Sequence, residues 1–220
     1  MKDFNMNIII LGPQGSGKGT QAELLAKKFD LEHLDMGTLL REVAKEDSEL
    51  GREVYNIQNI TNTLVPGRIV KEVLTSKLVS IPKEKSIVFD GVPRTLEQVE
   101  YLNNALEQSE KKIDKVFFIN ISGAETIDRL SRRRVCEDCK AVLIMGKDVQ
   151  SESDKCPGCG GKISQRLDDT PEGIKKRLSV YNEETLPVLD YFKSKGILTE
   201  INGEQAVEKV SEEIIKNIES

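Results

Sequence analysis

Residues 11–20 read LGPQGSGKGT, four glycines and one lysine in ten positions. Four glycines are costly in a helix or strand, because glycine gives up the most backbone freedom on ordering. What they permit is a loop whose backbone N–H groups crowd around an anion with no Cβ in the way. The run fits G-x-x-x-x-G-K-[ST] through Gly12, Gly17 and Lys18, with Gly19 in the Ser/Thr position and Thr20 one place later. Gly15, Ser16, Gly17, Gly19 and Thr20 would form the cradle, and Lys18 a mobile charge for the outer phosphates. A glycine-rich turn without a ligand is the plain alternative. A second group lies in SIVFDGVPRTLEQ, residues 86–98. Asp90 could hold Mg²⁺ through waters, and Arg94 offers a planar fork for phosphate. A helix cap is the ordinary use of such an aspartate. The third group is Cys136, Cys139, Cys156 and Cys159, spaced C-x₂-C-x₁₆-C-x₂-C. Two such knuckles suit closed tetrahedral Zn²⁺ coordination that folds a segment without catalysing. Disulfides or a redox pair compete with this reading.

Particular elements must position these residues. Residues 7–12, NIIILG, form a short β-branched run that stops at a glycine, as a strand buried on both faces does. Ala22, Leu25, Ala26 and Phe29 then fall at helical spacing. The order strand, glycine loop, helix puts the loop N–H groups and the helix dipole on one anion. Residues 87–89 predict a second buried strand with Asp90 at its carboxyl end, where open α/β sheets bind ligands. Residues 115–122 and 196–201 predict further strands. A helix is expected over 171–195, capped by Asp169 or Thr170, with Ile174, Leu178 and Tyr181 on one face and a kink at Pro187. Val207, Val210, Ile214 and Ile218 predict a closing helix over 204–219. The fold class is α/β, with a doubly wound parallel sheet.

Composition narrows the partners. The chain has 220 residues and a formal net charge of −5, a poor general binder of nucleic acid or anionic membrane. Affinity for phosphate must therefore be local. No apolar run approaches the ~20 residues that span a bilayer. The stretch Met1–Asn7 is short and polar, so no targeting segment is expected and the reading is cytoplasmic.

The G-P-Q-G-S-G-K-G-T variant resembles the nucleoside monophosphate kinases, and among them the adenylate kinase family. D-G-V-P-R-T at 90–95 matches that family's D-G-[FY]-P-R-[TN], with Val92 for the aromatic. The resemblance implies that Gln98 hydrogen-bonds the adenine of AMP. LDMGTLLRE at 34–42 is similar to the segment opening the AMP-binding insertion. Gly37, Leu40 and Arg41 match there, and Arg41 would clamp the AMP phosphate. Met36 stands where Thr or Ser is usual, and Thr38 where Asp is. Leu64 and Val65 match a G-x-[LI]-V segment, with Asn62 for its glycine and a left-handed turn implied. D-R-x-x-x-R-R maps onto Asp128, Arg129, Arg133 and Arg134, and R-x-D-D with a following Arg onto Arg166, Asp168, Asp169 and Arg177.

Carried over residue by residue, the likeness implies these roles. Arg129 stacks on the ATP adenine. Arg133, Arg166 and Arg177 grip phosphates, the last two also facing AMP with Met36, Gly37, Gly91 and Arg94. Asp168 and Asp169 orient arginines for closure of a zinc-bound lid. The core is 1–35, 66–133 and 170–220, the AMP-binding insertion 36–65 and the lid 134–169. The implied reaction is Mg-dependent phosphoryl transfer from ATP to AMP giving two ADP, by a monomer. AVLIMGK after Cys139 lacks the family's aromatic and histidine. Two alternatives stand: a related kinase with another acceptor, and a zinc-ribbon P-loop protein that binds RNA through Arg132–Arg134 and hydrolyses ATP slowly.

Overall fold

The structure, a computed structural model, describes residues 5–61 and 63–219. The turn expected at Asn62 lies outside the described residues, as does the start of the N-terminal stretch.

The apolar run at the start becomes β1 (Ile8–Leu11), every side chain of it buried. The glycine loop follows, then α1 (Lys18–Phe29), β2 (Glu32–Asp35), α2 (Met36–Val43) and α3 (Glu49–Asn56). A π-turn at Ile57–Thr61 extends α3, and α4 (Gly67–Ser80) returns the chain to β3 (Ile87–Asp90). Next come α5 (Leu96–Glu107), β4 (Lys115–Asn120), α6 (Gly123–Arg132), β5 (Arg133–Cys136), β6 (Val142–Ile144) and β7 (Ile163–Ser164). The chain ends with α7 (Pro171–Val180), a π-turn at Tyr181–Thr185, α8 (Leu186–Ser194), β8 (Leu198–Asn202) and α9 (Val207–Glu219).

The central sheet runs β2-β3-β1-β4-β8, all parallel. Parallel strands need helical crossovers, and these bury both faces of the sheet. Side chains of β1 alternate accordingly. Ile8 and Ile10 join Ala22 and Leu25 of α1 and Val210, Ile214 and Ile218 of α9. Ile9 and Leu11 join Ile69, Leu74, Val99, Leu102, Val188 and Phe192 from α4, α5 and α8. The sheet is thus doubly wound, as its strand pattern implies. Register aligns Asp35 with Asp90 at the carboxyl ends of β2 and β3, and Ile10 with Asp90 across β1 and β3. Those ends face the glycine loop.

A second, antiparallel sheet, β6-β5-β7, carries its own small core of Cys136, Leu143, Val149, Cys156 and Ile163. So few apolar residues cannot stabilise a unit of this size alone.

Two local expectations change, and one choice is settled. The helix expected over 171–195 is interrupted: the π-turn inserts before Pro187, with the Leu186 N–H donating to the Tyr181 carbonyl. Pro187 therefore falls in the first turn of α8, where its missing N–H costs little. Thr170 is the cap of α7, accepting from the Gly173 N–H at 3.1 Å. Val207 is 37% exposed rather than in the core, because α9 starts there.

Candidate active site

The loop between β1 and α1 is built around close approaches. A Cβ on Gly12 would sit 2.5 Å from Ser16 Oγ and 2.6 Å from the Ile119 carbonyl. Gly17, at φ 89°, turns the chain into α1 through left-handed backbone that costs glycine little. Side chains cap α2 (Asp35), α3 (Ser48), α5 (Thr95), α6 (Ser122) and α7 (Thr170). Helix α1 has no side-chain cap and no acidic residue in its first turn. Its open N–H groups and positive dipole end are left for an external anion.

Lys18 folds back over the loop, its Nζ 3.3 Å from the Pro13 carbonyl. Burial pulls its pKa down to about 8; Asp90 opposes this, while Arg94 and Arg133 add to it. Asp90 is buried, and its Oδ2 lies 3.0 Å from where a Cβ on Gly19 would stand. Burial raises the Asp90 carboxyl above its usual range, against the pull of Lys18. Its Oδ1 has no hydrogen-bond partner among the described residues.

A cleft of about 990 Å³ opens beside the loop. Lys18 lines it from the start of α1, Gly91 and Arg94 from the loop after β3 and Gln98 from α5, with Met36, Gly37, Arg41, Leu64 and Val65 from the α2–α4 segment. Arg133, Arg166, Asp168 and Arg177 line it from the small sheet and α7. Sequence distances of up to 163 residues are closed here, from Gln14 to Arg177.

These cations are unevenly paired. Asp169 accepts from Arg133 Nε and Nη2, both at 2.7 Å, and from Arg177 Nη2 at 2.7 Å. Asp168 holds Arg177 Nη1 at 2.7 Å. Arg41 donates to the Thr38 hydroxyl at 2.7 Å, which leans on Asp35, 3.6 Å from Arg41 itself. Thr38 thus relays the orienting charge of Asp35. Lys18, Arg94 and Arg166 have no ion pair among the described residues; Arg94 Nε meets only the Gly91 carbonyl, at 2.9 Å. Burial lowers the Arg94 pKa, and lowers that of Arg166 to about 10, with Arg133 and Arg41 adding to the latter. Both stay protonated at neutral pH. A half-buried cluster of cations without ion pairs among the described residues favours a polyanionic ligand.

The family model described as Adenylate kinase matches residues 10–197. The chain is similar to the adenylate kinase of Caldicellulosiruptor bescii, 39% identical over 96% of this chain and 98% of the relative. It is similar to that of Syntrophomonas wolfei, 37% identical over 98% and 100%, and to that of Archaeoglobus fulgidus, 37% identical over 95% and 96%.

The chain belongs to the adenylate kinase family. It is an ATP:AMP phosphotransferase, with ATP, AMP and ADP as substrates and products. Neither the RNA-binding ATPase nor the kinase with another acceptor is favoured by this membership.

Adenylate kinases use Mg²⁺ with ATP, and the enzyme has a fitting group for it. Asp90 offers a buried, unpartnered oxygen at the strand end beside the loop. The cysteines fit a metal equally well. Their four Sγ atoms lie within 4.8 Å of one another, with Cys136–Cys159 at 3.5 Å and Cys139–Cys156 at 3.6 Å. A tetrahedron with ~2.3 Å Zn–S bonds has edges of about 3.8 Å. None is disulfide-bonded.

Not every expected residue lines the cleft. Gly15, Ser16, Gly17, Gly19 and Thr20 lie along the loop and the start of α1. Arg129 stands against that loop, donating to the Gly15 carbonyl at 3.3 Å and the Gly203 carbonyl at 2.9 Å. Asp169, 1% exposed, lies behind the arginines. Leu40, matched in the segment that opens the insertion but given no site role, also lines the cleft, and sequence reading missed Gln14, Gln58, Asn59, Thr63 and Val70 beside it. Gln14 was readable inside the glycine loop. The others had no signal, because their approach depends on how the α2–α4 segment folds over. Among the described residues, no helix is long and apolar enough to cross a membrane.

Proposed function

We propose that the enzyme is divided as its sequence implies, into a core (1–35, 66–133 and 170–220), an AMP-binding insertion (36–65) and a zinc-bound lid (134–169), and that it acts as a cytoplasmic monomer without nucleic-acid partners. The observation that carries the assignment of roles is the set of half-buried cations, Lys18, Arg94 and Arg166, that have no ion pair among the described residues and line one cleft between the glycine loop and the insertion.

The loop residues Gly15–Thr20 and Lys18 hold the ATP phosphates, with Arg129 beside the loop for the base. Arg41 and Arg94 hold the AMP phosphate, while Met36, Gly37, Leu64, Val65, Gly91 and Gln98 enclose its nucleoside. Arg133, Arg166 and Arg177 bridge the two phosphate chains. Asp168 and Asp169 fix the directions of Arg133 and Arg177 and let the lid close. Asp90 would hold Mg²⁺ through waters; bound there, the ion neutralises charge on the ATP phosphates.

No general base is required. The attacking group is an AMP phosphate oxygen, already ionised near pH 7. The difficulty is bringing two polyanions together and stabilising charge on the transferred group. Lys18 and the arginines supply that stabilisation in a site already short of counter-charge. Closure excludes water, which would otherwise hydrolyse ATP. Cys136, Cys139, Cys156 and Cys159 hold Zn²⁺, replacing the core that the small sheet lacks.

Coupled nucleoside-diphosphate formation with Mg-ATP and each of AMP, GMP, CMP and UMP tests this reading. AMP wins by a wide margin, and Arg94→Met loses about 10²- to 10³-fold in kcat/KM. ATP hydrolysis without transfer, or an Arg94→Met enzyme as active as wild type, refutes it.

A further inference from the structure

We propose that Asp35 and Thr38 form a relay that holds the Arg41 guanidinium beside Arg94 for the acceptor phosphate, which makes Asp35 a positioning residue for AMP. This rests on the reading that Arg41 and Arg94 hold the AMP phosphate.

The two oxygens of Asp35 have separate uses. Oδ1 caps α2, accepting from the Thr38 N–H at 3.1 Å. Oδ2 is not needed for the cap, and it accepts from the Thr38 hydroxyl. A hydroxyl that donates its one proton keeps lone pairs free. Thr38 Oγ1 uses one to accept from Arg41 Nη2 at 2.7 Å. Asp35 Oδ2 itself stays 3.6 Å from that nitrogen, too far for a hydrogen bond. The hydroxyl therefore links the carboxylate to a guanidinium that the carboxylate does not reach. Burial alone would raise the Asp35 pKa, but the Thr38 hydroxyl and then Arg41 hold it below the usual carboxylate range. The relay is thus charged at neutral pH.

Close packing sets where the guanidinium lies. A Cβ on Gly37 would stand 3.1 Å from Arg41 Nη1 and 3.2 Å from Asp35 Oδ1, so a side chain there would press on both. A Cβ on Gly91 would stand 3.6 Å from the Gly37 backbone nitrogen and 3.4 Å from Arg94 Nη2. The two arginines are brought together across these glycines, on the wall of one cleft. The Arg41 side chain is 41% exposed, and a long side chain left loose must be ordered when its ligand binds. The relay takes up Nη2 and leaves Nε and Nη1 with no hydrogen bond among the described residues.

Two simpler roles compete, and they differ from the relay in sign. A cap needs no charge, and asparagine caps as well as aspartate, so under that role Asp35→Asn is silent. A bare negative charge repels a phosphate. The Asp35 charge is felt at Asp90 and at Arg94, so under that role its removal lowers KM for AMP. Under the relay, KM for AMP rises.

Steady-state kinetics in AMP and in Mg-ATP, with a melt of each variant, decides. Asp35→Asn raises KM for AMP about five- to tenfold, the worth of one charge-assisted hydrogen bond reduced by partial exposure. KM for Mg-ATP stays within about twofold and melting is unchanged, because the cap survives. Thr38→Val keeps both cap and carboxylate, removes only the hydroxyl, and gives the same rise. Thr38→Ser, which restores the hydroxyl, recovers most of it. The double variant Asp35→Asn/Thr38→Val is no worse than either single one, since both break one chain of contacts. An unchanged or lowered KM for AMP in Asp35→Asn or Thr38→Val overturns the proposal. So does an equal loss on both substrates, or a double variant whose losses add. Arg41→Met separates this from the reading beneath it. If Arg41→Met raises KM for AMP while the relay variants are silent, only the relay fails. If Arg41→Met is silent as well, the placement of the AMP phosphate fails too.

Discussion

Replacing Asp169 with Asn probes the hub that holds two arginines of the cleft. The Asp169 side chain is 0% exposed, against 11% for Arg133 and 14% for Arg177. Arg177 keeps Asp168 as a partner after the change, but Arg133 has no other ion pair among the described residues. Breaking a buried pair on one side costs roughly 3–5 kcal/mol, because the charge left behind is uncompensated. Asn keeps the shape and one acceptor oxygen, so the lower end, about 3 kcal/mol, is expected. For a chain of this length, ~1 kcal/mol shifts the melting temperature by about 2–4 °C, so the loss is about 6–12 °C. On the proposed roles nucleotide phosphates supply negative charge to the same arginines, and saturating Mg-ATP with AMP should recover part of the deficit. Burial alone would raise the Asp169 pKa, but hydrogen bonds from Arg133 and then Arg177 hold it below the usual carboxylate range. A depressed folded pKa stabilises fully above the unfolded value and is lost as pH falls through the folded one. The gap between wild type and variant is therefore full at pH 7 and closes below about pH 4. Thermal and urea unfolding at pH 7 and at pH 3–4, with and without nucleotide, measures each part. A loss below 1 kcal/mol at pH 7, indifferent to nucleotide, would refute the reasoning.

Three further outcomes follow from the same geometry. Lys18, with a pKa drawn down to about 8 by burial, must be charged to meet phosphate, so kcat/KM for Mg-ATP falls as pH rises through about 8. A pH–rate profile flat to pH 9 contradicts this. Lys18→Met loses about 10²- to 10³-fold in kcat with little loss of stability, since a desolvated cation is removed rather than a packed one; kinetics alongside a melt separates the two effects. Cys156→Ser, or chelation of the wild type, releases one zinc per chain, lowers the melting temperature and exposes the 134–169 segment to protease. Elemental analysis finding no zinc, with unchanged melting, contradicts that.

Much of the sheet was legible because parallel strands buried on both faces are written as continuous β-branched runs. Ile8–Leu11, Ile87–Phe89 and Val116–Ile119 show this directly. Strand β2 was not legible: Glu-His-Leu-Asp at the sheet edge buries only Leu34 and has no such signal. The strands of the small sheet were equally hidden, being short and stabilised by cysteines rather than by alternation. The phosphate loop, Lys18, Asp90 and the two cysteine knuckles were legible for a different reason. Each is a local device whose function depends on residue type at fixed spacing.

What the sequence determined by itself was therefore the chemistry available: an anion cradle, a carboxylate at a strand end, a cysteine tetrad and a supply of arginines. The tertiary structure alone decided the partnerships. It set Asp169 behind Arg133 and Arg177 and left Arg166 without an ion pair among the described residues. It placed Thr38 between Asp35 and Arg41, committed Gln98 Oε1 to the Arg94 backbone, and brought Gln58 to the same cleft. Side-chain pairing across more than a hundred residues depends on burial and register. Neither is written in local spacing, and both determine which charges remain free to meet a substrate.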